Sequence, residues 1–499
     1  MIDYLLDALQ TVAEPVNFAV LLVATLVGLV MGMLPGLSAT MAIALLTGLT
    51  YGLPVETALI SLLAVYVGSI SGGAQTAILL NIPGTPASAA TAVDGFPMGQ
   101  QGKGGYAMVL AVTASALGTL ISVVFLLTLT PLLTKLALNF GAWEFFLLAA
   151  FGVAICGTLT ARGNALKGWI AGFLGLFVAQ IGLDPIGAEP RFTFGNVQLM
   201  AGIQLIPVMI GLFGFPEIVK AFRKSEHVTL KAAKLRVGAG VKAVFKNMPT
   251  VARSSVIGTS VGIIPGVGED VGGWLSYAST KSMNKNPDSF GKGNELGVIS
   301  AESGNNAAIG GSLIPILSLA VPGSAPAAVL LAAFLMHGYR PGPLLVRESP
   351  EFIFQVAIYL AAAAVVMWFL ALLVMKFSVR ILGLRKEILM PMIYVLCVIG
   401  SYLINYSLFD VGMMLIFGLV GLFLYEFGFP AAPFLLGVIL GPMADSNLRR
   451  ALLLSEGSWL PMFQRPMSLM FLVFIVVILA AQLGVFGKAK ALVTSGKGK

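Results

Sequence analysis

Apolar residues run along this chain in blocks long enough to cross a bilayer, and few polar residues separate them. The runs fall near 16–34, 57–80, 106–132, 139–160, 168–184, 199–216, 353–375, 388–404, 410–427 and 466–486. Each approaches the roughly 20 residues that a helix needs to span the hydrocarbon core. Between them lie apolar stretches interrupted by Gly and Pro, at 37–53, 82–93, 254–280, 296–320, 323–336 and 430–443. Interruptions of this kind free backbone groups, which at membrane depth must meet protein or a water-filled cavity. They read as short spans, half-helices or re-entrant hairpins. The pattern predicts an all-α polytopic membrane protein of about 12 transmembrane helices. Residues 1–14 carry Asp3, Asp7 and Glu14 but no Lys or Arg. They lack the positive start of a signal peptide and read as a short interfacial helix.

Composition agrees with the pattern. Of 499 residues only 10% are charged and 58% are hydrophobic, too few charges to cover a soluble domain and too many apolar groups for disorder. The net charge of +8 is concentrated in one place. Residues 219–253 hold Lys220, Arg223, Lys224, Lys231, Lys234, Arg236, Lys242, Lys246 and Arg253 against Glu226 alone, a local charge equal to that of the whole chain. The excess of basic residues on cytoplasmic loops makes this a cytoplasmic linker, so no nucleic-acid partner is expected. Lesser clusters at Lys376, Arg380, Arg385 and Lys386, at the tail lysines 488, 490, 497 and 499, and at Arg162 and Lys167 mark further inner segments. Two cysteines, Cys156 and Cys397, and two histidines, His227 and His337, give no disulfide framework and no zinc-type spacing.

The chain also repeats itself. Gly28-xxx-Gly32-xx-Pro35-Gly36 returns 230 residues later as Gly258-xxx-Gly262-xx-Pro265-Gly266. Ile82-Pro83-Gly84-Thr85 returns after 239 residues as Val321-Pro322-Gly323-Ser324. Asp94-Gly95-Phe96-Pro97-Met98-Gly99 returns after 243 as His337-Gly338-Tyr339-Arg340-Pro341-Gly342. The drift fits an insertion around 281–293. Counting spans outward from the basic clusters places the loop at Asp94–Gly105 inside and that at His337–Arg347 outside. Equivalent loops on opposite faces predict two inverted repeats, the plan of many secondary transporters, whose site lies where the repeats meet. The corresponding divisions are 1–218 for the first repeat, 219–253 for the linker, 254–440 for the second repeat and 441–499 for the C-terminal region.

Polar residues crowd around the Pro-Gly motifs. The stretches Asn81–Ser88 and Ala320–Ala327 read as a pair of helix breaks, because Pro removes a backbone donor and Gly permits a tight turn. The N–H groups of a broken helix attract anions, and freed carbonyls attract cations. Candidate substrate-binding residues are therefore Ser38, Gln75, Asn81, Pro83, Gly84, Thr85, Ser88, Pro322, Gly323 and Ser324. Ser303, Asn305 and Asn306 supply neutral oxygens suited to a hard cation. Glu269, Asp270 and Glu302 are costly at membrane depth; they read either as a proton relay or cation site, or as residues of a helix end or a polar loop. No phosphate-binding loop, no HExxH and no nucleophile–base constellation is apparent, so neither ATP hydrolysis nor hydrolase chemistry is expected and the chain reads as a non-enzyme.

The runs Pro35-Gly36-Leu37-Ser38-Ala39-Thr40, Gly72 to Pro86, and Asp94-Gly95 resemble the large membrane subunit of the tripartite tricarboxylate transporter family, as do Gly262–Gly273 and Glu302–Gly323. The likeness extends over about residues 16–440. It implies a multi-pass protein of the bacterial inner membrane. It also implies a small four-span membrane subunit and a periplasmic substrate-binding protein as partners. The implied activity is import of a tricarboxylate or related organic acid, driven by a cation gradient, with sodium or a proton as coupling ion and no cofactor. A single-subunit transporter or a channel for another small solute would share the spans and broken helices; saturable, ion-gradient-dependent uptake separates the readings. The sequence leaves open the substrate, the oligomeric state (a homodimer among the options) and the choice between rocking and elevator motion.

Overall fold

The structure, a computed structural model, describes residues 2–34, 37–159, 165–184, 186–223, 235–377 and 386–482. Pro35, Gly36, Arg162, Lys224, Glu226, His227, Lys231, Lys234, Arg380, Arg385 and the tail lysines lie outside the described residues. The helices in chain order are α1 (Ile2–Ala13), α2 (Pro15–Met33), α3 (Ala39–Leu49), α4 (Val55–Leu80), α5 (Ala89–Met98) and α6 (Gly104–Ala137). Next come α7 (Ala142–Leu159), α8 (Ala165–Val178), α9 (Val197–Met200), α10 (Leu205–Met209), α11 (Phe215–Arg223) and α12 (Val237–Lys246). Then follow α13 (Met248–Ile263), α14 (Gly268–Met283), α15 (Glu295–Leu319), α16 (Ala325–Met336), α17 (Leu345–Glu348) and α18 (Glu351–Val374). The last are α19 (Lys386–Leu403), α20 (Leu408–Glu426), α21 (Ala431–Leu454), α22 (Leu460–Gln464) and α23 (Pro466–Gln482).

The chain is thus an all-α membrane protein. Among the described residues, six helical segments are long and apolar enough to cross a membrane, and six shorter apolar helices accompany them. Most expected runs appear within a few residues of their predicted bounds. Four differ. The run at 168–184 is cut short: α8 ends at Val178 and Gly182–Leu183 is a strand. The run at 199–216 is not one span: it is divided into α9, α10, a widened turn at Ile210–Gly214 and α11. Gly202, with φ of +79°, interrupts it. The loop expected from Asp94 is helical to Met98 and continues through a widened turn into α6, with the break at Gly102, φ +76°. The stretch at 430–443 extends to Leu454, because Asp445 and Arg449 of its last turns are held by ion pairs.

The chain forms two compact units. The first comprises Met1–Lys135 with Ile206–Leu422. At its centre lie α4 and α15. From Thr57 to Ile78 every side chain of α4 is buried, as is every one from Gly297 to Ser318 of α15. Tyr66 of α4 hydrogen-bonds Ser312 of α15, and Ser71, further along α4, bonds Asn306, further back on α15. The two central helices therefore run antiparallel.

Each central helix packs against a glycine-bearing partner, and the two packings match. A Cβ on Gly28 of α2 would fall 2.6 Å from the Val65 carbonyl, and one on Gly258 of α13 would fall 2.0 Å from that of Gly304. One turn on, Gly32 would meet Ser69 O at 2.0 Å and Gly262 would meet Ala308 O at 2.5 Å. No side chain fits in either seam, so the repeated glycines are what lets these helices approach backbone to backbone.

The second unit comprises Leu136–Leu205 with Phe423–Lys499. Here α7, α8, α21 and α23 pack together. A Cβ on Gly175 of α8 would meet Phe434 O of α21 at 2.0 Å, and one on Gly437 would meet Gly172 O at 2.2 Å. A short antiparallel hairpin pairs Gly182 with Arg191 and Leu183 with Pro190. Arg191 and Arg449 each bridge Asp184 and Asp445, at 2.9 to 3.0 Å.

Candidate functional site

The two helix breaks are built alike. Residue 81 ends α4 because Pro83 follows: a residue before proline avoids the helical region, and proline has no N–H to continue the ladder. Asn81 takes the left-handed conformation (φ 57°, ψ 22°), which Asn tolerates better than most residues. Ala320 takes it at the end of α15 (φ 59°, ψ 28°), where a Cβ makes it costly. After each cap the chain doubles back, extended, along the helix it has just left. The Gly84 N–H donates to the Gly73 carbonyl at 3.3 Å. Gly323 lies against Ser312, with its Cβ position 2.7 Å from the Ser312 Cα. The eight residues from Gly73 to Asn81 rise about 12 Å at 1.5 Å each. Each break thus carries the chain that far back before the next helix, α5 or α16, begins.

Glycine is required at both returns. A Cβ on Gly84 would fall 2.0 Å from Gly32 O, and one on Gly323 would fall 2.0 Å from Gly262 O. The same contact recurs between equivalent residues of the two halves. Beyond it the chemistry diverges. In the first break the Thr85 and Ser88 hydroxyls pair at 3.2 Å. In the second, the Ser324 hydroxyl caps α16 by accepting the Ala327 N–H at 3.2 Å.

Each break also touches the central helix of the other half. The Tyr66 hydroxyl of α4 bonds Ser324 at 3.0 Å and Ser312 at 3.2 Å, and it donates to Glu269 at the start of α14. Ser324 donates to the same Glu269 oxygen at 3.0 Å. On the opposite side, Asn305 Nδ2 of α15 donates to the Ala87 carbonyl of the first break at 3.2 Å.

Around Asn305 lies a second buried carboxylate, Glu302. It accepts from Thr91 of α5 at 2.5 Å, from Ser115 of α6 at 2.7 Å, and from Asn305 and Asn306 at 3.4 Å each. Asn306 Nδ2 bonds Asn305 Oδ1 at 2.6 Å, and Ser71 donates to Asn306 Oδ1 at 2.8 Å. Asp94 of α5 has a different duty. Its Oδ1 accepts the N–H groups of Gly291, Gly293 and Asn294, and its Oδ2 accepts the Tyr277 hydroxyl. It pins the inserted loop before α15.

The structure gathers Gly84, Thr85 and Ser88 at the first break, with Pro83 partly buried beside them. Pro322, Gly323 and Ser324, all buried, form the second. Gln75 is buried in the last turns of α4. Ser38 instead caps α3, accepting from Met41 N at 3.1 Å, and Asn81 is exposed at its helix end. Ser303 turns onto its own helix and donates to Ile299 O at 2.8 Å, whereas Asn305 and Asn306 join the Glu302 cluster. Glu269 and Glu302 are buried inside the protein, whereas Asp270 is exposed. Tyr66, Thr91 and Ser115 were not singled out by sequence. Tyr66 carried a signal, as a lone tyrosine in a 26-residue apolar helix whose hydroxyl must find a partner once buried.

No solved structure matches the chain. A protein of Agrobacterium vitis described as an uncharacterized 52.8 kDa protein in the TAR-I ttuC' 3' region is 33% identical over 460 residues, covering 92% of this chain and 91% of that protein. A second, described as an uncharacterized protein in the TAR-II ttuC' 3' region of the same organism, is 34% identical over 225 residues, which is 45% of this chain and 93% of that protein. The family described as the tripartite tricarboxylate transporter TctA family matches residues 18–436, and the chain belongs to it.

Proposed function

We propose that this chain is the large membrane subunit of an importer for a tricarboxylate or related organic acid. A periplasmic binding protein delivers the substrate, a small four-span membrane subunit accompanies the chain, and a cation gradient drives import across the bacterial inner membrane. The observation that carries this reading is the pair of matching helix breaks. Each starts a new helix, α5 or α16, well back from the end of the preceding one, and a helix N-terminus carries the positive end of the helix dipole, which favours an anion. Neither stretch, Asn81–Ser88 or Ala320–Ala327, contains a Lys, Arg or His. Backbone N–H groups and hydroxyls, rather than fixed positive charge, then hold the carboxylates and release them.

The inverted arrangement of the repeats belongs to this proposal. Its support is the antiparallel course of α4 and α15, together with the glycine contacts that recur in both halves. Two inverted halves give alternating access a simple origin, since each break can serve one face of the membrane. Uptake of a panel of labelled carboxylates, in sodium and sodium-free buffer, tests the reading. Saturable uptake that needs an ion gradient is expected. Uptake that neither saturates nor responds to any ion gradient would mean a channel.

A further inference from the structure

Glu302 is completely buried in the third turn of α15, and among the described residues no Lys, Arg or His hydrogen-bonds it. An ionised carboxylate in that position is expensive unless its surroundings hold it. The groups around it differ in what they can do. Asn305 and Asn306 face it with their NH₂ groups. Those orientations are fixed from the far side, because Asn305 Nδ2 also donates to Ala87 O and Asn306 Nδ2 to the Glu302 backbone carbonyl, both at 3.2 Å. Turning either amide over would set oxygen against oxygen. The amide oxygens have partners of their own, since Asn305 Oδ1 accepts from Asn306 and Asn306 Oδ1 from Ser71. A metal ion at the carboxylate would meet two fixed donors where it needs oxygen ligands.

The other two partners, Thr91 and Ser115, are hydroxyls, which donate or accept according to rotation. Facing a carboxylate they donate; facing a carboxylic acid, one of them turns and accepts. The cage can therefore hold Glu302 in both protonation states by rotating one O–H bond. It also joins elements of both halves: Thr91 and Ser115 come from α5 and α6, and Asn305 and Asn306 from α15.

We infer that Glu302 is a proton-binding site, loaded from water on one side of the membrane and unloaded on the other as the carboxylate moves. The inference rests on the transport reading above and names the ion carried at this position. The proton adds to a Glu302 oxygen from bulk water and returns to bulk water, with no other bond changed. Of the other titratable groups on the neighbouring helices, Asp270 of α14 is exposed and Glu56 lies at the far start of α4, and several more are engaged elsewhere. Asp94 of α5 and Tyr277 of α14 bond each other, Glu269 of α14 bonds Tyr66 of α4, and Arg253 of α13 bonds Thr280 and Met283. Tyr106 at the start of α6 interacts with Glu295.

The test uses membrane vesicles carrying the full chain and its partner subunits, with labelled citrate, succinate and malate as probes in sodium-free buffer. A one-unit pH gradient concentrates a solute carried with one proton about tenfold. Wild-type vesicles should show that gain. Glu302→Gln should lose it while substrate exchange across the membrane persists. Accumulation by wild type that follows a sodium gradient and ignores the pH gradient overturns the inference, whatever the variant does. So does a pH response retained in Glu302→Gln, or loss of its exchange together with its accumulation. Should Glu302→Gln fail to insert, Thr91→Val with Ser115→Ala decides: the pH of half-maximal uptake should move, and an unmoved value refutes the role. Wild-type vesicles that take up no carboxylate under any gradient would instead remove the transport reading, and this inference with it.

Discussion

Tyr66 and Asn305 lie 239 residues apart, the same spacing that separates the two Pro-Gly motifs, and each reaches the helix break of the opposite half. Tyr66 bonds Ser324 of the second break; Asn305 bonds the Ala87 carbonyl of the first. The residues differ in chemistry, one a phenol and one an amide, so the position rather than the side chain is what repeats. Each central helix is thereby tied to the other half's break at a level seven residues from its own, since the first break returns to Gly73 and the second to Ser312.

Tyr66→Phe keeps the ring and deletes that tie. Glu269 would keep only Ser312 and Ser324 as side-chain partners, at 3.4 and 3.0 Å. A hydrogen bond to a charged group contributes about 1.5–3 kcal/mol. Tyr66→Phe should lower stability by that amount and reduce carboxylate uptake. Asn305→Ala should act in the same direction through Ala87 and Glu302. Thermal unfolding of the detergent-extracted protein, run beside an uptake assay, checks both. A Phe variant that melts and transports like wild type would show that the hydroxyl is dispensable.

Gly84 and Gly323 lie where a methyl group would strike a backbone carbonyl, and neither carbonyl can rotate away as a side chain would. Gly84→Ala and Gly323→Ala should each cost about 1–3 kcal/mol, the range for overpacking a filled interior. Uptake should suffer more, because the return of the chain is what sets the start of α5 and α16. Gly412→Ala in α20 is the control. Among the described residues, no atom beyond its own turns of helix lies within 4 Å of its Cβ position, and replacing a helical Gly by Ala gains up to about 1 kcal/mol. Equal effects at all three positions would mean that the close approach has no consequence.

These glycines also explain what was legible in sequence. A backbone-to-backbone seam demands glycine at fixed spacing, so Gly28, Gly32, Gly258 and Gly262 write the repeat into the chain directly. Pro83 and Pro322 mark the breaks equally plainly, because no other residue so reliably ends a helix ladder. The polar clusters were not legible. Glu302 finds Thr91 at a separation of 211 residues, and Tyr66 finds Glu269 at 203. Ser, Thr and Tyr occur in many apolar helices simply to bond the preceding turn, as Ser303 does. Only packing distinguishes those that reach a carboxylate from those that stay home. The division of 199–216 was hidden for a related reason: its composition is apolar throughout, and hydropathy does not register a single left-handed Gly202.

Asp94 holds three consecutive-region N–H groups and a tyrosine hydroxyl, which makes it the anchor of the loop at 284–294. Asp94→Ala strands those donors, at about 1–3 kcal/mol for each buried group that finds no water. Asp94→Asn keeps an oxygen for the loop and should be milder. Lys285 and Lys292 are exposed in or beside this loop, so limited trypsin digestion reports its release. Cleavage there should accelerate in Asp94→Ala, and less so in Asp94→Asn. An unchanged rate in Asp94→Ala would mean that the loop is held by its other contacts, such as Gln101 on the Lys292 carbonyl.

The second unit offers a test in pH. Desolvation pushes the Asp184 carboxyl up. The N–H groups of Ile186 and Gly187, with the guanidinium groups of Arg449 and Arg191, outweigh it and hold Asp184 below the usual carboxylate range. A carboxylate whose folded value is depressed adds stability that is complete above its unfolded value, about 3.9. That contribution is lost as pH falls through the lower folded value. The comparison to make is the thermal midpoint of wild type minus that of Asp184→Asn. The gap should be constant from neutral pH down to about 5 and close below about 4, as protons displace the two arginines from wild type as well. Salt should narrow it only modestly, because Asp184 is nearly buried between its partners and part of its hold comes from backbone N–H groups that ions do not screen. A gap that widens on acidification would mean that Asp184 is not the charged centre of the hairpin.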